Sequence, residues 1–196
     1  MKAKVTKIKK GIEPGTIVPM KQRGGNVGQW VERELKSKGY KISNSKGVDL
    51  PEENVEVKTR KNGSNSAHTI GNVTVDGIKT QSWDDSHLRE KCQSQYRVDY
   101  DNRDSVITGS KIYDFTDTYI QEKFKEAYDA GRKLIISGDK GAYIRGSKWG
   151  YFERKTDNSY EFRIPHAAMK KFKTASSNSK SFGKLFDYDN SSVPKV

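Results

Sequence analysis

Residues 26–60 read NVGQWVERELKSKGYKISNSKGVDLPEENVEVKTR, and two periodicities in this stretch decide the fold. In its first half Val27, Trp30, Val31 and Leu35 fall at i, i+3, i+4 and i+8, the apolar stripe of a helix. Asn26 suits the helix start and Gly39 its end. In its second half Val55, Val57 and Thr59 alternate with Glu56, Lys58 and Arg60, the period of a strand. Glu56 and Lys58 therefore share one strand face. Asp49 precedes the strand across Pro51, in a segment suited to a turn. Glu32 lies off the helix stripe, one turn after Gly28, where a missing side chain allows another backbone or a substrate to come close.

This organisation predicts that Glu32, Asp49, Glu56 and Lys58 converge. Clustered carboxylates repel, so a proton must stay bound or a cation must sit between them. One lysine cannot balance three acids, and a divalent cation is the natural completion. Hard oxygen donors without His or Cys favour Mg²⁺, with Mn²⁺ as a substitute, over zinc. The competing reading is a solvated helix and a half-wetted edge strand whose charges only keep the chain in solution.

The 196 residues suit one domain with a single core, taken as 1–173, followed by a Ser-rich, mobile tail over 174–196. Residues 1–25 form a basic arm expected to touch phosphates or pack loosely on the core. Thirty-seven Lys and Arg against 25 Asp and Glu leave a formal charge of +12, which makes a polyanion, nucleic acid first, the expected partner. The single cysteine, Cys92, excludes an internal disulfide and a Cys-rich zinc site. His68, His87 and His166 show no metal-ligand spacing. No apolar run nears the roughly 20 residues of a membrane helix, and the basic start lacks a signal peptide's apolar stretch, so the cytoplasm is the expected compartment.

Further elements follow from pattern. Residues 61–72 read as a loop with a turn at Asn62-Gly63, and Val73, Val75 and Ile78 around Asp76-Gly77 as a short hairpin. A helix is expected over 83–96, capped by Asp84 or Asp85, with Leu88, Cys92 and Tyr96 as its stripe and His87 at its start as a cap or packing residue. Residues 97–115 are polar and poorly periodic. A helix is expected over 117–130, capped by Thr116 or Asp117 and stopped by Gly131. Strand signals cover 133–137, 142–145, 151–154 and 160–164, with turns at Gly138-Asp139, Gly146 and Asp157-Asn158. Pro165 opens a last helix to about Phe172; Phe182, Leu185 and Phe186 in the tail could dock.

An acid on a helix, then Asp, then Glu-x-Lys on a strand resembles the restriction-endonuclease-like nuclease superfamily, and within it the MutH-type and GATC-cutting restriction enzymes. Three segments carry the resemblance: Val27-Gly28-Gln29 leading to Glu32; Asp49-Leu50-Pro51-Glu52 running into Val55-Glu56-Val57-Lys58-Thr59; and Trp83-Asp84-Asp85-Ser86-His87-Leu88-Arg89 with Lys91. They lie in order over residues 23–96, and the rest matches only in its run of elements. The resemblance implies an α/β fold, a mixed β-sheet flanked by helices, in two lobes forming a DNA cleft. It implies a Mg²⁺-dependent endonuclease hydrolysing phosphodiester bonds of double-stranded DNA, with Asp49 and Glu56 on the metal, Lys58 serving the attacking water, and Glu32 and Lys91 completing the site. An activating protein or a homodimer on DNA is compatible with it. The family's tyrosine near the last strand is replaced here by Phe162, with Tyr160 two positions earlier.

Arg60, Lys61, Arg145, Lys148, Arg154 and Arg163 are the candidate DNA contacts, with a solvated charged surface as the alternative for each. Two other functions fit the same residues. One is a basic nucleic-acid-binding module without catalysis. The other is a junction or repair nuclease of the same superfamily that reads shape.

Overall fold

A computed structural model describes residues 8, 10–19, 27–43, 47–62, 64, 66–101, 105–156 and 158–169. The chain is mixed α/β, with two sheets flanked by helices. The elements are α1 (Val27–Ser37), β1 (Glu56–Lys61), β2 (His68–Thr74), α2 (Val75–Thr80), α3 (His87–Lys91), β3 (Ser94–Tyr100), β4 (Ile107–Asp114), α4 (Thr118–Ile136), β5 (Tyr143–Ser147), β6 (Gly150–Thr156) and β7 (Ser159–Ile164). A helical turn over 166–169 follows Pro165. Among the described residues no helix is long and apolar enough to cross a membrane.

The smaller sheet runs β1-β3-β4, with β1 parallel to β3 and β3 antiparallel to β4. The stripe of α1 is buried as expected, at Val27, Trp30, Val31 and Leu35. These side chains pack with Leu50, Val55, Val57, Tyr96, Val98 and Ile107 into one apolar cluster. Each such side chain contributes about 1.5–3 kcal/mol on burial. The helix stops before Gly39, whose φ is 95°. Residues 10–19 lie along the sheet: Ile12 donates its N–H to the Tyr96 hydroxyl at 2.7 Å, and Gly15, Thr16 and Val18 bond the Ser105 and Ile107 backbone.

The larger sheet is antiparallel, in the order β2-β7-β6-β5, and α4 packs against it. Trp83, Phe124, Tyr128, Phe152 and Phe162 fill the second core with tilted and edge-to-face ring contacts 5.1–6.3 Å between centroids.

Several sequence expectations are corrected. The helix expected over 83–96 is only α3, capped by Ser86, whose Oγ accepts from Leu88 N. Residues 94–100 instead form the central strand β3, and Tyr96 is buried from that strand. Pairing on both edges outweighs a helical pattern in so short a window. The hairpin expected at 73–78 is the end of β2 followed by α2, with the Thr74 side chain capping Gly77 N. The loop expected to Asn72 already contains β2, and the polar stretch 97–115 contains most of β3 and all of β4. Gly131 does not stop α4, which is capped by Asp117 as expected and runs on to Ile136 through the strand expected at 133–137. A Cβ at Gly131 would lie 2.7 Å from Phe152 Cδ2, so the glycine serves close helix–sheet contact. Gly146 sits inside β5 rather than in a turn. The Asn26 cap, Gly63, Asp157, the end of the last helix at Phe172, most of the basic arm and the 174–196 tail lie outside the described residues.

Candidate functional site

The turn over 51–54 assembles the first part of the site. Leu50 and Val55 exchange backbone hydrogen bonds of 2.9 and 3.1 Å, and Asn54 takes a left-handed φ of 56°, which asparagine tolerates. The chain folds back, and Asp49 Oδ2 accepts from Val57 N at 2.8 Å. The six-residue gap between Asp49 and Glu56 is thus one tight reversal that sets the two carboxylates near each other.

Glu56 and Lys58 share a face of β1, as the period of two requires. Lys58 Nζ lies 2.5 Å and Lys91 Nζ 2.8 Å from Glu56 Oε1. The Glu56 side chain is 1% exposed, Lys91 14% and Lys58 27%, so one buried carboxylate binds two ammoniums whose other sides reach toward solvent. Glu56 Oε2 is buried with no hydrogen-bond partner. A buried carboxylate oxygen left unpaired is costly, and it marks a position where a cation or a proton donor would be stabilising.

Glu32, Asp49, Glu56, Lys58 and Lys91 act on one another electrostatically. Burial raises the Asp49 carboxyl above the usual carboxylate range, and the Glu56 charge raises it further. Burial also raises Glu32, with Asp49 the next cause and Glu56 a smaller one, while Lys58 opposes them. Burial, then Glu56, pushes up the Cys92 thiol in the adjoining core. Yet among the described residues no three His, Cys, Asp or Glu side chains form a group able to hold a metal ion. The expectation of three acids on one cation is corrected: Glu32 feels the others through space, and the near donor pair is Asp49 with Glu56. Its oxygen-only chemistry suits Mg²⁺ or Mn²⁺, which are held by one or two carboxylates and keep several waters.

Lys91 reaches Glu56 from α3 by crossing β2 at Gly71, where a Cβ would lie 3.1 Å from Lys91 Cδ and 3.0 Å from Leu88 Cδ2. Gly71→Val should therefore push the lysine stem aside. We expect the Lys91–Glu56 contact to be lost and the melting temperature to fall by about 2–12 °C, since overpacking costs about 1–3 kcal/mol. Thermal melts and the Lys91 NMR signal check this, and a lysine signal unchanged from the parent would count against the corridor.

The candidate DNA contacts are scattered. Arg60 lines a cavity with His68, and Lys61 is exposed at the end of β1. Arg145 lies 5.7 Å over Tyr151 and Lys148 5.1 Å over Trp149, both in the β5–β6 region at the far edge of the larger sheet. Arg154 donates to the Lys140 carbonyl at 3.2 Å. Arg163 is ion-paired with Glu153 at 2.9 Å and with Glu161, so its charge is largely met within the sheet. Phe162 and Tyr160 are both buried in the second core, so neither supplies a tyrosine to the site. His87 Nε2 lies 2.9 Å from the Asn72 carbonyl, and Ser86 rather than His87 caps α3.

Sequence reasoning missed Arg97 and His68. Arg97 is buried on β3, opposite Lys58 in the parallel register, and β3 was read partly as helix and partly as a polar segment. The alternation of Tyr96 and Val98 with Arg97 and Asp99 was the available signal. Compared with protein-family models and with curated proteins, the chain has no significant match.

Proposed function

We propose that the chain is a Mg²⁺-dependent, sequence-specific endonuclease of double-stranded DNA, of the restriction or nicking type, with GATC as the first sequence to test. One observation carries this reading: buried Glu56 holds Lys58 and Lys91 on one oxygen, keeps its other oxygen unpartnered, and lies beside Asp49, whose charge the fold disfavours. The charge of +12 and the resemblance of residues 23–96 to restriction-endonuclease-like nucleases support it. The same resemblance is the basis for a two-lobed DNA cleft.

Asp49 and Glu56 would hold the cation. When bound, Mg²⁺ or Mn²⁺ supplies Lewis-acid polarisation of the phosphate and a lowered pKa for water. Glu56 fixes both lysines in place before substrate arrives. Lys58, the more exposed of the two, is placed to hold the attacking water or a phosphate oxygen. Lys91 adds positive charge where the transition state becomes more negative, an effect strongest in a site that excludes water. Glu32 adds negative charge that favours a cation at the Asp49 carboxylate.

Plasmid DNA prepared with and without adenine methylation, incubated with Mg²⁺ and followed by end mapping, tests the proposal. We expect discrete nicked or linear products with fixed ends. Lys58→Ala should lower the rate by about 10²–10³, the usual effect of losing one charge-stabilising donor, while DNA binding persists. Binding without cutting by the parent protein would leave the non-catalytic module. A branched substrate outcompeting every linear duplex would favour the shape-reading nuclease.

A further inference from the structure

Beside the acid–lysine centre, on the same face of the smaller sheet, lies a cavity of about 170 Å³ lined by Lys58, Arg60, His68, Thr69, Gln95 and Arg97. That is room for several waters. The register explains the grouping: Lys58 faces Arg97 and Arg60 faces Asp99 across the β1–β3 ladder. Two guanidiniums thereby meet around one imidazole. Arg60 Nη1 lies 2.9 Å and Arg97 Nη1 3.5 Å from His68 Nε2.

The guanidiniums are supported unequally. Arg97 pairs with Asp99 and stacks 4.7 Å over the Tyr113 ring. Its Nε is 2.9 Å from Asp99 Oδ1, but that ion pair is too bent to be a hydrogen bond, and the buried N–H is left without one. Arg97 is 9% exposed. Arg60 is held by neutral acceptors instead: it donates to the Ser64 and Ser66 carbonyls and lies 3.5 Å from His166 Nδ1. Among the described residues no carboxylate lines this cavity, whereas Lys58, Arg60, Lys61 and Arg97 all do; Lys58 and Arg97 are each paired with a carboxylate outside it, Glu56 and Asp99. Burial, then the Arg97 charge, lowers the Arg60 guanidinium from its usual value, with Asp99 opposing. Planar forks backed by a lysine point charge suit a tetrahedral oxyanion.

We propose that this cavity seats a phosphate group, held by Arg60 and Arg97 with Lys58 at its rim. Lys58 touches both the cavity and Glu56, so a phosphate here sits next to the centre where cleavage is proposed. On the nuclease reading it is the backbone phosphate neighbouring the scissile one, and that identification rests on that reading. The pocket's affinity for phosphate does not.

The test uses the full chain without divalent cations. Inorganic phosphate is titrated while thermal melting and the Arg Nε–H NMR signals are followed, and duplex DNA affinity is measured across salt. Phosphate should raise the melting temperature and shift arginine signals. Arg60→Gln should abolish the thermal shift, weaken DNA binding about tenfold and reduce the salt slope by about one, while Arg60→Lys keeps part of each effect. Loss of the phosphate response with an unchanged DNA slope would identify free phosphate as the ligand and overturn the backbone assignment. If Arg60→Gln does not fold, Arg60→Lys and the parent's NMR response decide. A parent protein whose arginine signals and melting ignore phosphate overturns the proposal. Since no divalent cation is present, a chain that never cuts DNA still reports on this pocket.

Discussion

Glu56→Ala is expected to lose stability and activity together, the largest combined effect of any single change here. It strips two lysines of their shared carboxylate in a region where that carboxylate is 1% exposed. Breaking a buried pair on one side costs about 3–5 kcal/mol. Both lysines retain some access to water, so the lower end applies, about 3 kcal/mol. For a chain of this size that is a fall of about 6–12 °C in melting temperature. Cleavage should fall by at least about 10³, because one donor of the cation pair and the anchor of both lysines disappear at once. Adding Lys91→Ala should recover part of the stability and none of the cutting, because the more buried of the two uncompensated positive charges is removed while the carboxylate stays lost. Calorimetry and plasmid nicking on the two variants check both statements. A Glu56→Ala protein that melts with the parent would show that the ion triad does not bear on stability.

Asp49→Asn should have the opposite sign in stability and the same sign in activity. The Asp49 carboxyl is raised by burial first and by Glu56 second. A group with a raised folded-state pKa binds its proton more tightly when folded. Its contribution therefore favours the fold at pH values below the ordinary carboxylate range and is lost as pH rises through the raised value. Above the ordinary carboxylate range the fold disfavours the ionised Asp49 that the unfolded chain carries easily. Asparagine removes that charge, and its Oδ1 still accepts from Val57 N. The variant should melt above the parent at pH 7, and the gap should close toward pH 4. Mg²⁺ should raise the parent's melting temperature and not the variant's, since a ligand that binds only the folded state stabilises by mass action. Cutting should drop by at least about 10². Scanning fluorimetry from pH 4 to 8, with and without Mg²⁺, is the measurement, and an Asp49→Asn protein less stable than the parent at pH 7 would refute the reading.

The acid-bearing part of the site was legible because its information is local. A 3.6-residue stripe identifies α1, and a two-residue alternation identifies β1 and puts Glu56 beside Lys58. Lys91 was different: nothing in residues 83–96 points at Glu56, and it entered through family resemblance alone. The contact itself depends on β2 passing beneath α3 with a glycine at position 71, a non-local fact. The same limit explains the misread helix at 83–96 and the hidden β3. A strand paired on both edges need not alternate, and its residues Ser94–Val98 are all buried. Gly131 was misread because a glycine needed for helix–sheet contact looks the same in sequence as a glycine that ends a helix. Arg97, His68 and Arg60 converge from three strands, so the phosphate pocket has no one-dimensional signature.

The parallel pairing of β1 with β3 has a consequence for how the chain matures. Paired residues of the two strands are 39 positions apart, and β2, α2 and α3 occupy the chain between them. Such distant closure is slow compared with helix formation. During synthesis the acid emerges 35 positions before its lysine, and the two meet only once α3 packs on β2. A nascent chain that ends before Lys91 therefore carries the buried acid without the second ammonium that the finished fold gives it.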